Sequence, residues 1–263
     1  MLIIKIGGGK EINIKGIISD LAELNEPFII VHGANALRDQ LAEALGKPRK
    51  TLTSISGYSS VYSDETALDL LMMAYAGLKN KRIVELCHQH GISAVGLSGI
   101  DGQVIQGQRN RGIRIRKNGK LCIVRDFSGK PRSVNRELLQ LLLDHHYTPV
   151  LTVPIIDENQ TAINSENDDI VTVLQGEFRA RLIIQLIEAP GFLENKDDPA
   201  SIVKFIPREE LPRREAQVSG RMKRKLLALR KLFAHGAQRV VIGDGRVAHP
   251  VKDALNGKGT IIQ

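Results

Sequence analysis

Residues 2–35 read LIIKIGGGKEINIKGIISDLAELNEPFIIVHGAN, and the fold class follows from this stretch. Leu2–Ile6 is a short apolar run that Gly7, Gly8 and Gly9 bring to a stop, which predicts a strand running into a glycine turn. Residues 14–24 carry apolar side chains at helical spacing. Residues 27–32 (PFIIVH) form a second apolar run, ended by Gly33, with a further helical pattern over 36–45. Strand, glycine turn, helix, repeated, is the pattern of βαβ units and a parallel sheet.

Working outward, the same alternation continues. A long helix or helix pair is predicted over 66–90, a strand over 94–97, a helix over 135–145 and a strand over 147–153. Further on come a helix over 164–175, a strand over 182–186, a strand or extended segment over 203–206, a helix over 220–233 and a strand over 239–242. Residues 102–125 differ: Asn118-Gly119 between two alternating runs (113–117 and 120–125) is a strong hairpin signal, because both residues tolerate the positive φ of a type I′ turn. The expectation is a three-layer αβα sandwich with an open, mainly parallel central sheet and an inserted β-hairpin. No Pro- or Ser-rich linker divides the chain, so two lobes sharing one sheet fit better than separate domains.

Composition narrows the class. The chain has 263 residues, 42% of them apolar and 25% charged, and no Trp. That is enough for a large core of Leu, Ile, Val and Ala, the composition of strands covered by helices. Cys87 and Cys122 stand in unrelated contexts, with no metal spacing around them, and no apolar run reaches membrane-spanning length. A reduced, cytoplasmic protein without a membrane partner is expected. The net charge of +8 implies an anionic partner without choosing one.

Four segments can carry chemistry. Lys5 precedes three glycines whose backbone N–H groups can approach an anion, with a helix start beyond them. The spacing matches neither a Walker A nor a GxGxxG pattern. It reads either as a tight turn or as a phosphate cradle at the carboxyl end of a strand, where open α/β sheets bind ligands. The turn at Gly33 and Ala34 should lie beside it, and His32 there reads as a structural histidine rather than a base. In Thr161–Asp169, the acids and amides are either first-turn capping groups or site residues. Residues 220–225 (GRMKRK) open a basic amphipathic helix. Nucleic-acid contact is disfavoured there, because aromatics for base stacking and any recognition motif are missing.

Taken together and in this order, these segments resemble the amino-acid kinase family, on its acetylglutamate-kinase branch. The resemblance is closer still to the kinases of LysW-linked aminoadipate or glutamate. It rests on VHG at 31–33, GYSSVYSDET at 57–66, GLKNKRIVEL at 77–86, GLSGIDG at 96–102, AINSENDD at 162–169, GRMKRK at 220–225 and the tail at 241–260. It implies ATP-dependent phosphorylation of a side-chain carboxylate to an acyl phosphate in lysine or arginine biosynthesis. Lys5 would then stabilise the transferring phosphoryl group, Lys225 the departing ADP, and Asp168 would organise the two lysines. Asn164 would hold the acceptor, Gly8 and Gly9 would donate to phosphate, and Gly33 and Ala34 would form the acceptor-side turn. A carboxylate approaching a polyphosphate brings like charges together. At about 4 Å and an effective dielectric near 20, each pair costs roughly 4 kcal/mol, which cations at both ends offset. Mg²⁺ would be held by the nucleotide, with no metal ligand from the protein.

The resemblance also implies an acceptor tethered to a small acidic carrier protein. A basic hairpin bearing Arg109, Arg111, Arg114, Arg116, Lys117 and Lys120, with Lys79 and Lys81 as additions, reads either as the docking surface for that carrier or as an ordinary solvated hairpin. It implies an acceptor lobe over 1–160, a nucleotide lobe over 161–263, and a homodimer built through the helix at 66–90. Two positions depart from the pattern. Val61 stands where relatives carry an arginine that grips the acceptor's free carboxylate, and Glu188-Ala189 replace a small polar pair on the nucleotide side. A kinase of free N-acetylglutamate or another small acid, and a weakly catalytic ligand-binding homologue, therefore stay open.

Overall fold

The computed structural model describes every residue except Tyr58, Asn118, Lys196 and Ser219. At its centre is an eight-stranded sheet made of β1 (Leu2–Ile6), β2 (Phe28–His32), β3 (Ala94–Ser98), β4 (Thr148–Thr152), β5 (Leu182–Ile187), β6 (Phe205–Ile206), β7 (Val240–Asp244) and β8 (Thr260–Ile262). The order across the sheet is β6-β8-β7-β5-β1-β2-β4-β3. Neighbours are parallel except β7 and β8, so β8 and β6 at one edge run against the other six. The chain leaves β1 toward β2 and later returns on its other side through β5. β1 is thus the point where the winding reverses, and its carboxyl end is where a crevice opens.

Helices cover both faces: α1 (Ile14–Ala22), α2 (Asn35–Ala44), a continuous α3 (Glu65–Leu71, π-helical Met72–Lys79, Asn80–Gln89), α4 (Arg136–Asp144), α5 (Asn167–Phe178), α6 (Leu211–Gln217), α7 (Gly220–Ala234) and α8 (Pro250–Leu255). The two-residue period of the strands sorts the core into two layers. Leu2, Ile4, Ile30, Val150, Ile184 and Val241 pack with α1, the end of α3 and α8 through Ile17, Ile83 and Val251. Ile3, Val31, Leu151, Ile183 and Ile242 pack with the helices of the other face through Leu71, Leu139, Ile170, Leu174, Leu226 and Leu229. Lys5 has the parity of Ile3 and therefore faces α5 and α7. The three-layer αβα architecture with a mainly parallel sheet is the one expected from sequence.

Three details differ from the expectation. The helix predicted over 164–175 starts at Asn167, because Ala162–Ile163 is a strand. Asn164 is held extended: its N–H donates to Phe127 O (2.7 Å) and its carbonyl accepts from Gly129 N–H (2.9 Å). Second, Ile105–Arg109 pairs with Gly129–Val134, outside the expected hairpin, within a four-stranded sheet completed by Ile155–Ile156 and Ala162–Ile163. The hairpin Ile113–Lys117 with Lys120–Val124 projects between these strands. Gly119 has the positive φ of +78° the turn requires, while Asn118 lies outside the described residues. Third, α8 and the three-residue β8 close the sheet where no element was expected.

Candidate active site

The glycine turns after β1 and β2 pack back to back, as the parallel register of those strands dictates. A Cβ on Gly8 would stand 2.6 Å from Asn35 N and 2.7 Å from Ala34 N, so no other residue fits without moving backbone. A Cβ on Gly33 would stand 3.0 Å from Gly8 N. Among the described residues, the N–H groups of Gly8, Gly9, Lys10, Ala34 and Asn35 find no hydrogen-bond partner. Five such donors on the two packed glycine turns form an anion cradle, reinforced by the positive end of α2. Tyr75, from the π-helical part of α3, donates its hydroxyl to Asn35 Oδ1 and fixes the start of α2. Burial pushes the Tyr75 phenol up to about 12, so it stays protonated.

Across this cradle stands the head of α5. Lys5 Nζ lies 3.0 Å from Asp168 Oδ1, with both side chains largely buried. Burial by itself would raise the Asp168 carboxyl, but Lys5, then Lys225 and Arg224, outweigh it and hold it below the ordinary carboxylate range. Lys225 shows the opposite balance. Burial and the nearby Lys5 charge bring its ammonium down to about 8, against a smaller upward pull from Asp168. The three residues read as one machine from sequence are therefore brought together: two lysines around one carboxylate. Two ion pairs latch α7, which carries Lys225, to α5 and its N-cap residue: Arg224 with Glu166 (2.5 Å) and Lys231 with Asp169 (2.8 Å). Leu226, Leu229 and Leu232 bury the other side of α7.

Asn164 donates through Nδ2 to Ser63 Oγ (3.0 Å), and Ser63 N–H donates to Asp126 Oδ2 (3.1 Å). Ser63 and Asp126 thus seat the acceptor-side asparagine, a role that no local pattern in the sequence signalled. Val61, two residues earlier, lines a cavity of about 390 Å³ with Arg38, Lys47, Arg49 and Lys50. Arg38 and Arg49 share the Asp39 carboxylate, at 2.7 and 3.2 Å. Valine at 61 therefore does not leave this side of the molecule without cations. His32 is structural, as read: its Nε2 is 3.1 Å from Asn80 Nδ2, and burial pushes it down to about 3.

Glu188 is placed where sequence gave little warning. Its carboxylate sits against Gly9, at the spot a Cβ there would fill, and accepts Glu11 N–H at 2.6 Å. An acid beside the cradle works against polyphosphate unless a cation lies between. Among the described residues, no group of three or more His, Cys, Asp or Glu side chains stands where it could share a metal ion.

The basic residues expected to form one patch are divided. Arg114 and Arg116 are exposed and pair across the hairpin with Ile123 and Leu121, which are 65% and 61% exposed, so one face mixes cations with apolar side chains. Arg111 is exposed nearby, and the side chain of Lys117 lies outside what is described. Arg109 is not part of that face. It stands on the neighbouring sheet, its guanidinium stacked 4.1 Å from the Phe127 ring and its Nε donating to Asp126 O. Lys79 and Lys81 do not join the hairpin either. Lys79 lines a groove with Ile12, Ile14 and Ile83, and Lys81 donates to Gly96 O (3.0 Å).

An anion cradle and paired lysines at the carboxyl edge of an open parallel sheet define a phosphotransferase. The chain belongs to the amino acid kinase family, whose model matches residues 1–244. It is 38% identical over 269 residues to the LysW-aminoadipate kinase of Thermus thermophilus, with all of both chains covered. It is 30% identical over 265 residues to the acetylglutamate kinase of Methanopyrus kandleri, again with full coverage of both. Among solved structures, the carbamate kinase of Giardia superposes with a TM-score of 0.67 at 14% identity, covering 99% of this chain and 97% of that one. That likeness speaks for the fold alone. No helix is long and apolar enough to cross a membrane.

Proposed function

We propose that this protein transfers the γ-phosphoryl group of ATP to the side-chain carboxylate of aminoadipate or glutamate whose amino group is borne by a small acidic carrier protein of the LysW type. The observation that carries this reading is the Lys5–Asp168 bridge with Lys225 beside it, facing a cradle of unpartnered N–H groups. In the transfer, a carboxylate oxygen forms a bond to the γ-phosphorus while the bond to the β,γ-bridging oxygen breaks, its electron pair leaving with ADP. The acceptor is already ionised at neutral pH, so no base is needed. Gly8 and Gly9 hold phosphate oxygens, Lys5 meets the transferring group, Lys225 meets the charge growing on ADP, and Asp168 keeps the two lysines apart and oriented. Gly33, Ala34 and Asn164 hold the acceptor. Mg²⁺, arriving on the nucleotide, would supply further neutralisation of phosphate charge, and Glu188, whose carboxylate sits against Gly9, is the acid of this chain that would answer it.

Residues 1–160 then form the acceptor lobe and 161–263 the nucleotide lobe of a cytoplasmic biosynthetic enzyme. The carrier docks on the hairpin face of Arg114 and Arg116, and a second copy packs against α3, where Met73 and Leu78 are exposed. The relative named acetylglutamate kinase, together with Val61, favours a second reading in which the acceptor is free N-acetylglutamate. ADP release with ATP, Mg²⁺ and each acceptor separates them. Carrier-borne aminoadipate or glutamate should be turned over with higher kcat/KM than free N-acetylglutamate. A strong preference for the free acid sinks the carrier reading and leaves the kinase.

A further inference from the structure

Buried polar atoms without a partner are few in a folded protein, and each calls for a reason. Among the described residues, several of them lie around the head of α5. Ser165 Oγ, Asn167 Oδ1, and both amide atoms of Gln185 are buried without a hydrogen bond. Ser165 and Asn167 flank the head of α5, and Gln185 is the register partner of Lys5 on the adjacent strand. Asn167 is the most informative. It is the first residue of α5, directly before Asp168, yet its side chain caps nothing. Its Nδ2 lies 3.7 Å from the point a Cβ on Gly33 would occupy, a point that is 3.0 Å from Gly8 N. The amide therefore stands over the seam between the two glycine turns, sharing that space with the backbone donors of the cradle. Among the described residues neither end of it is engaged.

We infer that Asn167 is a further catalytic residue, whose Nδ2–H donates to an oxygen of the phosphoryl group as it passes from ADP to the acceptor carboxylate. The inference rests on the kinase reading of the site. Three donor types then surround the group in flight: backbone N–H from the glycine turns, the Lys5 ammonium and the Asn167 amide. The in-flight phosphoryl group carries its charge on equatorial oxygens, and a donor preset at that position acts on the transition state rather than on either ground state. Because the amide has no protein partner, removing it should cost no stability, which separates this role from a structural one.

The test compares Asn167→Ala and Asn167→Asp with wild type. For Asn167→Ala, kcat should fall by roughly 10²-fold, the effect of losing one preorganised donor, while KM for ATP and for the acceptor stay within about threefold. The affinity for fluoroaluminate with Mg·ADP and acceptor, which mimics the group in flight, should fall by a similar factor with Mg·ADP affinity unchanged. The melting temperature should hold or rise. Asn167→Asp keeps the shape but replaces a donor with a like charge, and should be slower still. A kcat for Asn167→Ala within threefold of wild type, or a loss of stability that accounts for the lost rate, overturns the inference. If Asn167→Ala is fully active while Lys225→Ala is dead, this inference alone fails; if Lys225→Ala keeps the wild-type rate, the kinase reading fails with it.

Discussion

At Lys225, burial and the Lys5 charge disfavour the ammonium while Asp168 favours it, and the balance brings the group to about 8. The unfolded chain would bind this proton up to the ordinary lysine value, so it holds more protons than the folded chain between about pH 8 and that value. Stability should therefore rise with pH across that window, since the folded state no longer has to carry the buried charge. On the proposed function activity should run the other way, because the charged form is the one that would meet ADP. The profile of kcat/KM for ATP, which reports the free enzyme, should fall as pH rises through about 8. In Lys225→Arg that limb should vanish, whatever its absolute rate, because a guanidinium does not titrate there. An unchanged alkaline limb in that variant would assign the titration elsewhere. The residues of this centre were legible where neighbours in sequence are neighbours in space: Lys5 before Gly7–Gly9, or Asn164 and Asp168 within five residues. Ser63 was not, because it meets Asn164 across 101 positions, nor was Glu188, which meets Glu11 across 177. No spacing rule encodes such pairs.

Elements set which of these side chains can act together. Gly8 lets the two turns touch, the π-helical stretch of α3 brings Tyr75 to Asn35, and α7 delivers Lys225 through a buried leucine face and two ion pairs. π-helical segments often mark functional positions, and this one seats the cradle. The helix over 66–90 was predicted, but its π-helical middle was not, since hydrophobic periodicity does not resolve a change of one residue in the hydrogen-bond ladder. The hairpin was predicted from Asn118-Gly119, whereas its frame was missed because Ile105–Arg109 pairs with a strand twenty residues on. On the hairpin, Arg114 and Arg116 are exposed and make no ion pair among the described residues, so they contribute little to stability. The double variant Arg114→Glu, Arg116→Glu should therefore melt like wild type. It should raise KM for carrier-borne acceptor about tenfold or more at low salt, flatten its salt dependence, and leave KM for ATP unchanged. Equal KM values for the carrier-borne acceptor would place the docking surface elsewhere.

Over the whole molecule, the reversal of winding at β1 puts the carboxyl ends of β1 and β2 at the crevice, with α5 and α7 reaching over it from one face. Among the described residues, five free backbone donors, two lysines and one carboxylate then assemble from both halves of the chain. On the proposed function, the excess of positive charge would serve at two places, the polyphosphate and an acidic carrier. The most direct test is to trap the product. With ATP, Mg²⁺, carrier-borne aminoadipate or glutamate, and hydroxylamine, wild-type protein should yield the side-chain hydroxamate in step with ADP, showing that an acyl phosphate was made. Lys225→Ala should reduce both by roughly 10²–10³-fold together. ADP without hydroxamate from any carboxylate acceptor, or undiminished hydroxamate from Lys225→Ala, would contradict the account.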